Sequence, residues 1–112
     1  MIALRQGSCP LNQPTSYWIE GLRDRNFVFR CAAARALGDM GAGAKDAVPA
    51  LIEALQDKEA GVRDAVVIAL GAIGPEAKEA ISALQEALRD QNLFVRRAAA
   101  KALEKIVPES NS

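Results

Sequence analysis

The sequence predicts an all-α protein, a right-handed α-solenoid of three helical hairpins with about six helices. Three observations predict this fold class. A residue pattern recurs every 33 positions without gaps, apolar residues within each unit recur at helical spacing, and no segment alternates as a half-buried strand does. Because one hairpin cannot bury the apolar stripes of both its helices, the units are expected to stack side by side.

The repeat is clearest where the first predicted helix of each unit ends. A shift of 33 positions aligns the Leu-Arg-Asp of 22–24 with the Leu-Gln-Asp of 55–57 and the Leu-Arg-Asp of 88–90. The segment before the repeats is rich in Gly, Pro and polar residues, which predicts a flexible region. The predicted organisation is a flexible segment 1–14, repeats 15–47, 48–80 and 81–108, and a tail 109–112.

Each unit contains two apolar stripes separated by a polar turn. In the second unit, Gly74 and Pro75 are expected to end the second helix, and Asn26 and Asn92 are expected to cap the second helices of the other units. The predicted core of the first helices is Trp18, Ile19, Leu22, Val48, Leu51, Ile52, Leu55, Ile81, Leu84 and Leu88. The predicted core of the second helices is Phe29, Ala32, Ala33, Ala36, Leu37, Met40, Val62, Ala65, Val66, Ala69, Leu70, Ile73, Val95, Ala98, Ala99, Ala102, Leu103 and Ile106.

The second unit carries the most complete motif. It has Ala-Leu-x-Glu-Ala-Leu-x-Asp at 50–57, Val-Arg-x-Ala at 62–65 and Ala-Leu-Gly-x-Ile-Gly at 69–74. This pattern resembles the HEAT repeat, in the short HEAT-like form associated with phycobilisome lyases, over about residues 15–108. The third unit departs from it with Glu104 and Lys105 in place of glycine and a small residue, as terminal units often do.

The resemblance implies a ladder of charged residues between neighbouring repeats. An aspartate between two helices can accept N–H groups at the start of the second helix. An arginine one turn into that helix can reach the neighbouring aspartate with a forked hydrogen bond. These residues are interpreted as scaffold. The implied ladder consists of Asp24, Asp57 and Asp90 with Arg30, Arg63 and Arg96.

The residue inventory favours a protein without a catalytic centre. Histidine is absent, which excludes Ser-His-Asp and Cys-His nucleophile systems as well as histidine-containing metal sites. No phosphate-binding loop is present, so no cofactor or metal is expected. Cys9 and Cys31 are expected to be reduced and unactivated, in a cytoplasmic setting. The glycines expected at helix ends are Gly38, Gly41, Gly43, Gly71 and Gly74, and the glutamates expected on a solvated face are Glu20, Glu53 and Glu86.

A strip of the second helices is the candidate partner-binding surface. The resemblance implies that these helices line the concave side, and the strip points away from their apolar stripes. It mixes exposed apolar residues with charges, as protein-binding surfaces do, although packing between repeats would also explain the apolar members. The strip comprises Val28, Cys31 and Arg35 in the first unit, Gly61, Asp64 and Ile68 in the second, and Phe94, Arg97 and Lys101 in the third. Partner binding is assigned to all of these except Gly61.

Function is predicted as a protein-interaction module or scaffold that binds a protein partner. The alternative implied by the resemblance is a subunit or accessory factor of a phycobilin lyase or another phycobilisome-related process. Self-association through the repeat ends is a third hypothesis, since Tyr17 or Trp18 could be exposed there. The zero net charge and the short basic run in the third unit argue against nucleic-acid binding, and no apolar stretch is long enough to predict a membrane span.

Overall fold

The computed structural model describes residues 13–107. Most of the predicted flexible segment, including Cys9, and the tail 109–112 lie outside the described residues. Within them every regular element is helical, so the all-α prediction is confirmed. The six α-helices are α1 (Thr15–Gly21), α2 (Phe27–Asp39), α3 (Val48–Ala54), α4 (Ala60–Ile73), α5 (Ile81–Ala87) and α6 (Leu93–Ile106), and two 3₁₀ turns span Gly41–Ala47 and Gly74–Ala80.

Local side-chain chemistry explains where the long helices begin and end. Asn26 accepts the backbone N–H of Val28, and Asn92 accepts the backbone N–H groups of Phe94 and Val95, so both act as the predicted N-caps. At the other end of α4 the chain turns at Gly74, whose φ of 81° lies in the left-handed region that favours glycine.

The 3₁₀ turns between repeats are a feature that the periodicity did not predict. Each turn runs directly into the first helix of the next unit, and each buries two alanines. The small side chains allow the turn to lie against the core without displacing its larger residues. The buried alanines are Ala44 and Ala47 in the first turn and Ala77 and Ala80 in the second.

The helices form two layers. The second helices form one layer, in which α4 packs against α2 on one side and α6 on the other. The first helices and the 3₁₀ turns form the other layer, and each first helix packs against the second helix of its own unit. The core between these layers includes Leu37, Leu51, Leu70 and Leu84, all fully buried.

Two glycines permit close contact between neighbouring second helices. A Cβ atom on Gly38 would lie 3.0 Å from the Cα atom of Ala69, and one on Gly71 would lie 3.0 Å from the Cα atom of Ala102. Both glycines lie in the last turns of α2 and α4, as expected for glycines at helix ends. The structure adds a second reason for them, since the absence of a side chain lets the backbones approach.

The predicted core is wrong at several positions. Ala32, Met40 and Leu88 are exposed, whereas Ala34 and Val67 are fully buried. Within the described residues the first unit has no unit before it and the third has none after it. Ala32 of α2 and Leu88 after α5 therefore lack a neighbouring unit, whereas the second unit, which contains the equivalent residues Ala65 and Leu55, has one on each side. The exposure of Met40 has no such explanation.

Candidate functional site: the second-helix face and its supporting ladder

The ladder connects the three units through two forked ion pairs. Nε and Nη2 of Arg30 donate to the two carboxylate oxygens of Asp57, at 2.7 and 3.1 Å. Arg63 makes the same fork with Asp90, at 2.9 and 3.0 Å. Both forks are largely shielded from solvent, and their geometry is that of the strong bidentate pair.

Each ladder residue also has a role within its own unit. Arg30 donates through Nη1 to the backbone oxygens of Asp24 and Arg25. The Asp57 carboxylate accepts the backbone N–H of Glu59, the residue that precedes α4. The ladder therefore fixes each interhelical turn and also the distance between units.

The ladder aspartates have lowered pKa values. Burial opposes ionisation of Asp57, but hydrogen bonds from Arg30 and from the Glu59 backbone outweigh it and lower the pKa. For Asp90 the hydrogen bond from Arg63 is the largest effect and also lowers the pKa. Both carboxylates are consequently held in the charged form, which suits a scaffold rather than proton transfer.

The two ends of the ladder are incomplete within the described residues. The Asp24 carboxylate accepts the backbone N–H of Asn26, yet no described arginine forms a fork with it. Arg96 donates to the backbone oxygens of Asp90 and Gln91, and no described carboxylate lies within ion-pair distance. The six predicted residues thus make two interunit pairs and leave an acceptor and a donor at opposite ends.

The candidate strip lies on the solvent side of the second helices, and its large apolar members are exposed. The exposed fractions are 62% for Val28, 55% for Ile68 and 65% for Phe94. Packing between repeats, the other interpretation of these residues, does not describe them in this structure. We call this surface, formed by the nine strip positions, the second-helix face.

The charged residues of the second-helix face differ in their exposure. Arg35, Arg97 and Lys101 are exposed, whereas Asp64 is half-buried. Burial raises the pKa of the Asp64 carboxyl, and the nearby charge of Arg35 partly opposes that rise. The environment of Asp64 thus disfavours the ionised carboxylate, whereas that of the ladder aspartates Asp57 and Asp90 favours it.

Cys31, in the middle of the first unit's part of the face, is a free thiol. Its partial burial raises the pKa of the thiol, mainly by desolvation of the charged form. A raised pKa reduces the thiolate fraction at neutral pH, so the environment does not activate this cysteine as a nucleophile.

A groove between α4 and α6 was not predicted from the sequence. It has a volume of about 410 Å³, and its lining includes Ile68, Gly71, Arg97, Ala98, Lys101 and Lys105. Sequence reasoning placed three of these residues in the strip but left Lys105 out. The signal that could have found it is the lysine at 105, where the second unit has Ala72 at the corresponding position.

The N-terminal end of the array carries an aromatic cluster. Tyr17 packs edge-to-face on Trp18 with ring centroids 4.8 Å apart, and Phe29 lies 6.0 Å from Trp18. Of the two aromatic residues considered for exposure at the repeat end, Tyr17 is 42% exposed, whereas Trp18 is 3% exposed and lies in the core, where it was also predicted. Phe29 fills the space that a side chain at Gly21 would need, since a Cβ there would lie 2.8 Å from the Phe29 ring.

The described residues contain no cluster of three or more acidic, cysteine or histidine side chains that could hold a metal ion. The glutamates Glu20, Glu53 and Glu86 are all exposed, and Glu53 accepts a hydrogen bond from Arg23 at 3.2 Å. None of the helices between residues 13 and 107 is long and apolar enough to cross a membrane.

Stacked helical hairpins joined by a shared charge ladder define an α-solenoid repeat protein. The comparison with known families is more specific, because the family model of HEAT repeats matches residues 15–104. The chain therefore belongs to the HEAT repeat family, whose members are commonly protein-interaction scaffolds. No curated protein matches the chain significantly.

Proposed function

We propose that this protein is an interaction module that binds a protein partner through its second-helix face. The observation that supports this most strongly is the exposure of Val28, Ile68 and Phe94 on a surface that otherwise carries charges. Exposure of large apolar side chains to water is unfavourable, so their burial under a partner would lower the free energy. Charged neighbours keep such a surface soluble until a partner covers it.

The helices that carry the second-helix face are held in fixed positions, which favours specific binding of a partner. The ladder fixes the spacing of the units, and close packing at Gly38 and Gly71 holds the second helices together. A rigid surface loses little conformational entropy when a partner binds, so more of the contact free energy contributes to affinity.

The test is a charge reversal of the face with a matched control. The face variant carries Arg35→Glu, Asp64→Lys and Lys101→Glu, and the control carries Lys78→Glu, Glu86→Lys and Arg89→Glu on exposed positions of the other layer. Both triple variants change the net charge by the same amount. We expect the face variant alone to lose a stoichiometric partner captured by the wild-type protein, with the helical circular dichroism of both variants unchanged. Equal capture by both variants would show that the second-helix face is not the contact surface.

A second candidate function is a role in phycobilin attachment. It is supported by the likeness of the second unit, residues 50–74, to the short repeats of phycobilisome lyases. Co-expression with a bilin and its apoprotein, followed by a visible spectrum of the purified complex, tests it. A pigment band that depends on this chain would support the function, and an unchanged yield of pigmented product without the chain would reject it.

For self-association through the repeat ends, one feature of the structure argues in favour and another argues against. The unpaired Asp24 and Arg96 are complementary. Glu104, however, occupies the position that Gly38 and Gly71 occupy at the internal contacts, where even a Cβ would lie 3.0 Å from the next helix. We infer that copies do not stack end to end in the register of the internal repeats, and a monomeric mass by light scattering at high concentration is the expected result.

A further inference from the structure

The surface between α4 and α6 differs in charge from the equivalent surface between α2 and α4. At the positions that correspond to Arg97, Lys101 and Lys105, one repeat earlier, the chain has Asp64, Ile68 and Ala72. Three cations thus occupy positions at which the preceding unit has an acid and two apolar residues. The repeat architecture alone does not require these cations, because the α2–α4 pair packs without them.

These cations are not engaged elsewhere in the described structure. The ion pairs between residues 13 and 107 involve Arg23, Arg30 and Arg63, and none includes a basic residue of the groove. Glu104 lies next to Lys105 in sequence and is itself exposed, yet it forms no ion pair within 4.0 Å. The rim of the groove therefore has three positive charges available to a ligand.

The floor of the groove is apolar. The lining includes Ile68, which is more than half exposed, together with Gly71 and Ala98. Because Gly71 has no side chain, α6 packs closely against it at Ala102, and this contact closes the floor at that point. The volume of about 410 Å³ lies at the lower end of the roughly 300–1,000 Å³ usual for ligand pockets. The groove is too small for a whole folded element, and its apolar floor has room for a large apolar side chain.

The spacing of the cations fits an extended peptide. Arg97, Lys101 and Lys105 follow one another at intervals of four residues along α6. At a rise of about 1.5 Å per residue, the first and last lie about 12 Å apart along the helix axis. An extended chain covers that distance in about four residues, at about 3.3 Å per residue. Two carboxylates four residues apart could therefore face the two ends of the row.

We propose that the α4–α6 groove binds an acidic peptide segment of the partner, with one large apolar side chain on the groove floor and flanking carboxylates at the lysines and arginine. This rests on the proposed function and specifies the partner's chemistry at one end of the second-helix face. Charge complementarity selects an acidic ligand, and the apolar floor selects a peptide over a nucleic acid, because the groove lining has no aromatic side chain on which a base could stack.

The probe is a fluorescein-labelled nine-residue peptide of Gly and Ser that carries two glutamates four positions apart and a leucine midway. Anisotropy titration of the full chain measures its Kd. We expect saturable binding that weakens at least tenfold when the leucine is replaced by serine or both glutamates by glutamine. The protein variant Lys101→Glu with Lys105→Glu should weaken binding to a similar extent, and Lys78→Glu with Arg89→Glu should leave it unchanged.

Several outcomes would overturn the inference. Absence of saturable binding, or equal loss in both protein variants, would reject the groove as the site. Binding that ignores the leucine, or tighter binding of a labelled single-stranded oligonucleotide, would show a nonspecific cationic surface instead. If the peptide fails while the triple reversal of the face still abolishes partner capture, this inference fails and the proposed function stands. If capture also survives the reversal, both are wrong.

Discussion

Arg96 and Arg97 are neighbours in sequence, yet they belong to regions with opposite physical roles. Arg96 continues the row of ladder arginines and donates to the backbone oxygens of Asp90 and Gln91. In the same row Arg30 and Arg63 are also forked onto aspartates and shielded from water. Arg97 lines the α4–α6 groove and has no ion-pair partner among the described residues. The difference indicates that paired, shielded charges hold the array together, whereas unpaired, accessible charges are available for binding.

The largest expected difference between the two regions is in stability. Arg30→Ala leaves the Asp57 carboxylate, about one tenth exposed, without its forked partner, and removes two hydrogen bonds to the backbone. We expect a loss of about 3 kcal/mol in the free energy of unfolding. Arg97→Ala should change it by less than about 0.5 kcal/mol. Urea unfolding of both variants measures the difference, and equal losses would show that the groove arginine is also part of the scaffold.

A smaller effect is expected at the floor of the groove, which is part of a helix contact. In Gly71→Ala the new Cβ would lie 3.0 Å from the Cα of Ala102, and such overpacking costs about 1–3 kcal/mol. Gly61→Ala meets only the Cys31 sulfur, at 4.0 Å, and should instead stabilise α4 by about 0.5 kcal/mol through helix propensity. Thermal unfolding should therefore move in opposite directions for the two variants. A stabilised Gly71→Ala would mean that the contact between α4 and α6 is loose.

The pH dependence of stability should separate ladder aspartates from Asp64. Folding lowers the pKa of Asp57 and Asp90, so their contribution is complete above the unfolded value near 3.8 and disappears as pH falls through the folded values. Folding raises the pKa of Asp64, so its ionisation opposes folding as pH rises above 3.8. Asp64→Asn should leave stability at pH 7 equal or slightly higher, while Asp57→Asn lowers it. Urea midpoints at pH 7 and pH 3 test this, and a destabilised Asp64→Asn at pH 7 would contradict it.

The smallest effect is expected for the ion pair outside both regions. Arg23 and Glu53 connect the first two units at 3.2 Å, but both side chains are 71% exposed. Screening by water and the cost of ordering two long side chains leave such pairs with about 0–0.5 kcal/mol. A double-mutant cycle with Arg23→Ala and Glu53→Ala should give a coupling within that range. A coupling as large as that of Arg30 with Asp57 would mean that burial does not distinguish the pairs.

The repeat period predicted most of the fold. The spacing of Val62, Val66 and Ile73 predicted a buried helical face, and all three are buried. The period could not show that Gly38 and Gly71 lie at helix contacts, since a glycine near a helix end has the same local sequence as one at a crossing. Nor could it show which apolar residues lack a neighbour, because this depends on what packs beyond each helix, as with Leu88.

The candidate surface was predictable in position but not in detail. Helical geometry placed Val28, Ile68 and Phe94 away from the apolar stripes, and the structure exposes them. The groove required the distance between α4 and α6, which no single helix specifies. Lys105 stood out in the sequence as a departure from the motif, but only the structure shows that it lines the same groove as Ile68 and Lys101.

The most direct test of this account measures stability and partner capture in the same two proteins. Arg30→Ala should unfold at a lower temperature yet retain capture below its transition, because it lies in the ladder. The triple reversal of Arg35, Asp64 and Lys101 should keep the unfolding temperature within a few degrees of the wild type and lose capture. Full capture by that folded triple variant would contradict the assignment of binding to the second-helix face.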